Sequence, residues 1–595
     1  MTIQDKHSVP FSRLYALLVI FLLCSVALIA RAVNLQVMET DFLQGQGEAR
    51  FLREVEIPST RGVISDRNGE PLAVSTPVDS VWVVPREVLE YPENIIPLAQ
   101  QLGANPDEIE RNLTQRSNKE FVWMKRRLNP AVATKIADLH IPGVYLQKEY
   151  RRFYPAGEVT AHVIGFTNID DIGQEGLELA YNNWLAGSPG SKRIIRNRKG
   201  EEVEEVALVK ESDPGKGLHL TIDRRLQYLA YRELKSAVLK HGARSGSVVV
   251  LDVDTGEVLA MVNQPSYNPN DLSHEPDAMR NRAVTDVIEP GSVMKPIAIT
   301  SVLENGLANP HTPVQTAPGY TTISGHTIRD HRNYGMLDVT GVLTKSSNVG
   351  VTHLSLQLTA EEMWDTYNRY GFGEATGTGF PGESAGVLRN YRRWRKLEQA
   401  TISYGYGISA TPLQLAQAYA TIANGGKLHQ PSFIQGANNP PIAAIDPHVA
   451  NQVAAMLETI TSDEGTGKAA RVANYRIAGK TGTSHKASAS GYAASRYVSS
   501  FAGFGPVSNP RLVTVVVIND PSGKEYYGGL VAAPLFSKVM TGAMRLMNIP
   551  PDNYPTIMAN AKFSKKTILK TAPTVEEDYG DTAEGVVENF SADGL

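Results

Sequence analysis

Glu289-Pro290-Gly291-Ser292-Val293-Met294-Lys295 sets a Pro-Gly breaker pair directly before an apolar run, Ile297-Ala298-Ile299-Thr300-Ser301-Val302-Leu303. That order predicts a helix with Ser292 in its first turn. A spacing of three then puts Lys295 on the same face as Ser292. A serine hydroxyl is a poor nucleophile until a neighbouring base takes its proton. Lysine can be that base when burial or a second cation pushes its pKa toward working pH. The N–H groups of a first helical turn can also stabilise a developing oxyanion.

By itself Ser-x-x-Lys joins two common residue types at a spacing that most often marks a solvated helix face. Here it occurs once. Downstream stand Ser346-Ser347-Asn348, after Thr344-Lys345, and Lys480-Thr481-Gly482-Thr483, the one Lys-Thr-Gly of the chain. A second Ser-x-Asn, Ser266-Tyr267-Asn268, precedes Ser292 and reads as a turn. Ser-x-x-Lys, then Ser-x-Asn, then Lys-Thr-Gly within one domain-sized stretch is the motif order of penicillin-binding proteins and serine β-lactamases, which selects Ser346 and Asn348.

The rest of the 595 residues bounds what surrounds this constellation. With 58 basic and 62 acidic side chains and a formal charge of −4, the chain has no polycation field, so nucleic acid is excluded as its main partner. A hydrophobic share of 42% with 50 Gly and 35 Pro is globular and loop-rich, and the length calls for two or more domains. The single cysteine, Cys24, allows neither an intramolecular disulfide nor a cysteine zinc site. Leu22-Leu23 before it lack the small residues of a lipoprotein signal.

Leu14 to Ala30 is an uncharged, mostly apolar run between Arg13 and Arg31, which predicts one membrane span over residues 14–33. The alternative is a cleaved signal peptide, suggested by Ala30-Arg31-Ala32, although the run exceeds the ~7–15 residue apolar core of such peptides. Lys6 and Arg13 favour a cytoplasmic tail over residues 1–13, with everything after about Val33 outside the cytoplasm.

Residues 34–215 contain charged and Pro-rich segments, an Asn68-Gly69 hairpin signal and short helices between Pro97 and Ile141, with no obvious chemistry. Ser212-Asp213-Pro214-Gly215-Lys216-Gly217 marks a boundary. Beyond it, 216–550 opens with a helix started by Asp223 and running from about Arg224 to His241. Strands Ser247–Asp252 and Glu257–Asn263 follow, joined by Asp254-Thr255-Gly256, and Leu512–Ile518 has the length of a buried strand. In the tail, 551–595, seven acidic residues follow Thr571 without a Lys or Arg, so disorder is expected there.

Further segments extend the likeness beyond the three motifs. They are Arg61-Gly62-Val63-Ile64-Ser65-Asp66-Arg67-Asn68-Gly69, Gly173-Gln174-Glu175-Gly176-Leu177-Glu178 and Asp252-Val253-Asp254-Thr255-Gly256-Glu257-Val258-Leu259-Ala260. Tyr404-Gly405-Tyr406-Gly407 before Thr411-Pro412-Leu413-Gln414, and Ser500-Phe501-Ala502-Gly503-Phe504, also fit. In these the chain resembles the class B penicillin-binding proteins, in particular the FtsI-type division transpeptidases, over roughly residues 10 to 550. No departure falls in the three motifs.

The resemblance implies an α+β fold: a transpeptidase domain with a five-stranded antiparallel sheet and helices, on a mixed α/β pedestal of the dimerisation type. It implies that Ser292 is acylated, Lys295 accepts its proton and Ser346 relays a proton to the leaving amine. Asn348 would bind the stem-peptide amide, while Lys480, Thr481, Gly482 and Thr483 would receive the terminal carboxylate. The N–H groups of Ser292 and Thr483 would form the oxyanion hole. Implied partners are stem peptides ending in D-Ala-D-Ala, β-lactams, the lipid bilayer of the bacterial inner membrane, and an FtsW-like SEDS-type glycosyltransferase with other division proteins. The catalytic domain would be periplasmic, and no cofactor or metal is implied.

Three alternatives stay open at this point. A D,D-carboxypeptidase or β-lactamase would pass the acyl group to water, with a glutamate such as Glu383 or Glu398 as base. A membrane β-lactam sensor would need a cytoplasmic signalling domain, for which ~13 residues before the span leave no room. A purely structural scaffold would not need Ser292.

Overall fold

The computed structural model describes residues 11–39, 52–196, 202–488 and 491–553, apart from positions 272, 274 and 438. The acidic tail and most of the expected cytoplasmic tail lie outside these residues. Helix α1 (Phe11–Val33) carries the apolar run and continues as a short π-helical turn over Asn34–Met38. Its 23 residues span about 35 Å at ~1.5 Å per residue, against ~30 Å of bilayer hydrocarbon, so α1 is long and apolar enough to cross a membrane.

The region after α1 is built on two sheets. Strand β1 (Leu52–Ile57) belongs to the first. The second begins with β2 (Ile64–Ser65) and β3 (Pro71–Val83), paired antiparallel around the Asn68-Gly69 turn. That turn closes as expected: Gly69 has φ +86°, and the Asp66 carboxylate accepts from the N–H groups of Asn68 and Glu70 at 2.8 and 2.9 Å. Strands β4 (Val122–Leu128) and β5 (Val144–Phe153) both pair antiparallel with β3. Strands β6 (Gly190–Arg196) and β7 (Glu202–Lys210) complete the first sheet in the order β1-β6-β7.

The turn-rich stretch near 212–217 is threaded tightly through this region. The Gly215 N–H donates to the Thr60 carbonyl at 2.8 Å, and a Cβ on Gly215 would stand 1.7 Å from the Leu185 carbonyl oxygen. Strand β8 (Leu218–His219) then pairs parallel with β2.

Helix α2 (Arg224–Lys240) starts where Asp223 predicts, the Asp223 carboxylate accepting from the Arg225 and Leu226 N–H groups. Strands β9 (Ala243–Asp252) and β10 (Val258–Gln264) form the hairpin after it. Helices α3 (Lys295–Glu304), α4 (Asn348–Ser355) and α5 (Pro412–Ala423) follow. Three long strands come last, β11 (Ala478–Ser488), β12 (Gly491–Gly505) and β13 (Leu512–Pro521), and then helix α6 (Gly528–Leu546). They join β9 and β10 in one five-stranded antiparallel sheet, ordered β10-β9-β13-β12-β11.

Both faces of this sheet are covered, which is why Val248-Val249-Val250-Leu251 reads as an unbroken apolar run instead of alternating. Val248 and Val250 pack with Leu226, Leu234, Phe536 and Met540 of α2 and α6. Val249 and Leu251 pack with Ile297, Val302, Leu413 and Tyr419 of α3 and α5. The sheet therefore fixes α3 on one side and leaves β11 as the strand at its edge.

Candidate active site

Ser292 stands in a 3-10 turn, Gly291–Met294, that runs directly into α3. The turn is clamped from three sides. Gly291 N–H donates to the Gly405 carbonyl at 3.1 Å, Ser484 Oγ on β11 donates to the Glu289 carbonyl at 2.7 Å, and buried Tyr419 Oη on α5 donates to the Val293 carbonyl at 2.8 Å. Two glycines permit the close approach. A Cβ on Gly405 would lie 2.2 Å from the Gly291 oxygen, and one on Gly482 would lie 2.3 Å from Ser500 Oγ and 2.9 Å from the Pro290 oxygen. The glycine of Lys480-Thr481-Gly482 thus lets β11 lie flat against the turn that carries Ser292.

Lys295 is fully buried, and its Nζ donates to the Ser346 carbonyl at 2.5 Å and to Ser346 Oγ at 3.1 Å. Ser346 has φ +58°, a left-handed conformation that a serine rarely adopts and that surrounding contacts must hold. Ser347 caps α4, its Oγ accepting from the Gly350 N–H at 2.8 Å, and Asn348 opens that helix.

Asp330 organises this corner, and nothing in the sequence marks it. Its carboxylate accepts from Ser347 Oγ at 2.6 Å and from the N–H groups of Asn348 and Val349 at 2.5 and 3.0 Å, at the positive end of α4.

Burial is the largest influence on Lys295, pushing its pKa well below the ordinary 10.5; the Lys480 cation lowers it further, and Asp330 opposes both. Lys480 is also fully buried, and burial pushes its pKa down to about 7. Near neutral pH, burial thus favours loss of the Lys480 proton. An arriving carboxylate would restore that proton. Two buried ammonium groups within Coulomb reach disfavour each other's charge, which adds to the effect of burial on Lys295.

Ser292, Ser346, Asn348, Thr481 and Thr483 line one cleft of about 960 Å³. Lys295 and Lys480 lie beneath it. Thr483 Oγ1 accepts from the Gly528 N–H at 2.9 Å, and Thr481 Oγ1 bonds Thr466 Oγ1 at 2.8 Å. The sequence reading also missed an aromatic wall in which Tyr497 stacks on Tyr526 at 4.1 Å and Tyr526 on Tyr527 at 4.5 Å. The Tyr526-Tyr527 doublet was the available signal.

Neither glutamate considered as a hydrolytic base lines the cleft. Glu383 accepts from Thr376 and Thr378, and Glu398 caps the short helix Lys396–Ile402. The upstream Ser-x-Asn copy is a turn, in which Asn268 Oδ1 accepts from the Asn270 N–H at 3.1 Å. Among the described residues no cluster of His, Cys, Asp and Glu could hold a metal ion.

Two protein families match this chain: the penicillin-binding protein dimerisation domain over residues 56–220, and the penicillin binding protein transpeptidase domain over residues 246–541. The peptidoglycan D,D-transpeptidase FtsI of Escherichia coli K12 is 43% identical over 562 residues, 93% of this chain and 95% of FtsI. The transpeptidase domain of Burkholderia pseudomallei penicillin-binding protein 3 aligns with a TM-score of 0.52 at 40% identity, covering 56% of this chain and 98% of that one. Penicillin binding protein 3 of Mycobacterium tuberculosis, complexed with aztreonam, aligns with a TM-score of 0.66 at 28% identity, covering 84% of this chain and 98% of that one. With a full-length relative this similar and both domains matched in order, the chain belongs to the class B penicillin-binding proteins.

Proposed function

We propose that Ser292, Lys295, Ser346, Asn348 and Lys480 carry out the reaction of this protein, a peptidoglycan D,D-transpeptidase of the FtsI type. Neutral Lys295 takes the Ser292 Oγ proton as the oxygen attacks the carbonyl of the D-Ala-D-Ala bond. The N–H groups of Ser292 and Thr483 stabilise the oxyanion. Ser346, which holds Lys295 Nζ through two contacts, relays the proton to the departing D-Ala amine, leaving an ester on Ser292. An amine of a neighbouring stem peptide then gives up its proton along the same path, attacks the ester and forms the cross-link.

Asn348 engages the donor peptide amide, and the donor extends along the free edge of β11. Lys480, Thr481, Gly482 and Thr483 receive its terminal carboxylate. A β-lactam reacts at the same serine, with its own carboxylate in that place. The observation that carries this reading is the pair of buried lysines beneath one cleft, the first bonded to Ser346 and depressed by burial and by the second.

The span anchors the protein in the bacterial inner membrane with residues after the helix in the periplasm. It works at the division septum beside an FtsW-like SEDS-type glycosyltransferase. The domains run 1–13 tail, 14–33 anchor, 34–215 pedestal, 216–550 transpeptidase domain and 551–595 tail.

The test supplies a donor peptide ending in D-Ala-D-Ala and an amine acceptor peptide. The expected product is their cross-link with release of one D-Ala per bond. Hydrolysed donor alone, at saturating acceptor, would mark a carboxypeptidase and sink the transpeptidase reading.

A further inference from the structure

The charge around the catalytic cleft is one-sided. Among the described residues lining it, Arg332 and Lys468 are cationic and none is Asp or Glu. Lys468 is engaged, pairing with Asp463 at 2.7 Å. Arg332 has no carboxylate partner among the described residues; its guanidinium lies over the Tyr334 ring, 5.2 Å from the centroid. An exposed arginine is ordinarily just a solvated charge. The loop that carries this one argues otherwise.

Residues 330–335 are held at both ends. The Asp330 N–H donates to the Gly319 carbonyl at 2.9 Å while its carboxylate caps α4, and the Gly335 carbonyl accepts from the Thr316 N–H and Oγ1 at 2.9 and 2.8 Å. Between these ties His331 stands edge-on to Tyr527 of the aromatic wall, with ring centroids 6.0 Å apart. The loop also adjoins the residue assigned to the donor peptide, because Asn348 Nδ2 donates to the Arg329 carbonyl at 3.0 Å. A guanidinium stacked on a neighbour and carried by a fixed loop loses little freedom when it binds, and its fork matches a carboxylate.

We propose that Arg332 is a specificity residue for the donor peptide, receiving a second carboxylate carried on a side chain away from the D-Ala terminus. This rests on the D,D-transpeptidase reading above. Lys480 takes the terminal carboxylate from below, and Arg332 takes the other from the rim, so the two fix the direction in which the donor lies. A ligand with one carboxylate uses only the first of these contacts.

The test uses the full chain in detergent with two donor peptides made as C-terminal thioesters, identical except that one has its side-chain carboxylate free and the other amidated. The quantity read is the ratio of kcat/KM for the acid to that for the amide. The unaltered protein is expected to prefer the acid by roughly threefold to tenfold. Arg332→Gln should bring the ratio to one, and Arg332→Lys, which keeps the charge without the fork, should retain part of it. Benzylpenicillin labelling shows whether each variant has a folded site. A ratio of one in the unaltered protein, or an unchanged ratio in Arg332→Gln, would overturn the proposal. Should Arg332→Gln fail to fold, the unaltered protein and Arg332→Lys still decide. If the unaltered protein is not labelled by benzylpenicillin at all, the transpeptidase reading falls, and this proposal with it.

Discussion

Two sets of buried charges, one in the region before residue 215 and one in the cleft, serve opposite ends. In the first, Glu178 is fully buried and shared by two guanidinium groups, Arg61 Nε at 2.6 Å and Arg152 Nε at 2.7 Å. Arg61 also donates to the Asp171 and Glu178 carbonyls and to Asn182 Oδ1. In the second, Lys295 and Lys480 are as deeply buried, but their hydrogen-bond acceptors are carbonyl and hydroxyl oxygens. A buried charge with its counter-ion is quiet and holds distant segments together. A buried ammonium without one is pressed toward neutrality, and a neutral amine beside a serine is a base. Counter-ion supply, more than burial, is what differs between these two sets of charges.

The sharpest way to break the comparison is to force charge onto the reactive side. Lys295→Arg keeps a cation at any relevant pH, so second-order acylation by one β-lactam should fall at least about a thousandfold. Lys480→Arg should lose only about 1–3 kcal/mol of transition-state stabilisation, because there the cation itself is wanted. Equal rates for the two variants would mean that the base is another residue.

On the structural side, Glu178→Gln leaves two guanidinium groups without their carboxylate. Unfolding free energy should drop by about 3–5 kcal/mol, read from denaturant midpoints. A loss under about 1 kcal/mol would show that the network is less tightly closed than its distances imply.

The most gradual effect is a slope. Below about pH 7 Lys480 is protonated in folded and unfolded chain alike, and the full cost of burying its charge is present. Between about 7 and the ordinary 10.5 the folded chain has shed this proton and the unfolded chain has not, so stability rises with pH by at most about 1.4 kcal/mol per unit. Lys480→Met should flatten that limb of the curve, and an unchanged slope would assign the pH dependence elsewhere.

Much of this was legible in the sequence because it depends on local order. Asp223 as a cap, the Asn68-Gly69 turn, the Asp254-Thr255-Gly256 hairpin and the breaker before Ser292 each act within a few residues of themselves. Ser292 proved to sit in a 3-10 turn that feeds the helix, which the Pro-Gly pair leaves undecided. Asp330 was not legible, since its partners Ser347, Asn348 and Val349 lie 17 to 19 residues away and only the fold brings them to it. The strained backbone of Ser346 and the lowered pKa of Lys480 were hidden for the same reason: both arise from packing that no spacing rule encodes.

The central claim is that Ser292 is the acylated residue. Peptide mapping by mass spectrometry after exposure to benzylpenicillin tests it most directly, with Ser292→Ala as its companion. The expected result is one penicilloyl adduct on the peptide containing Ser292, and none in the variant. An adduct on any other residue, or labelling that survives in Ser292→Ala, would contradict the account.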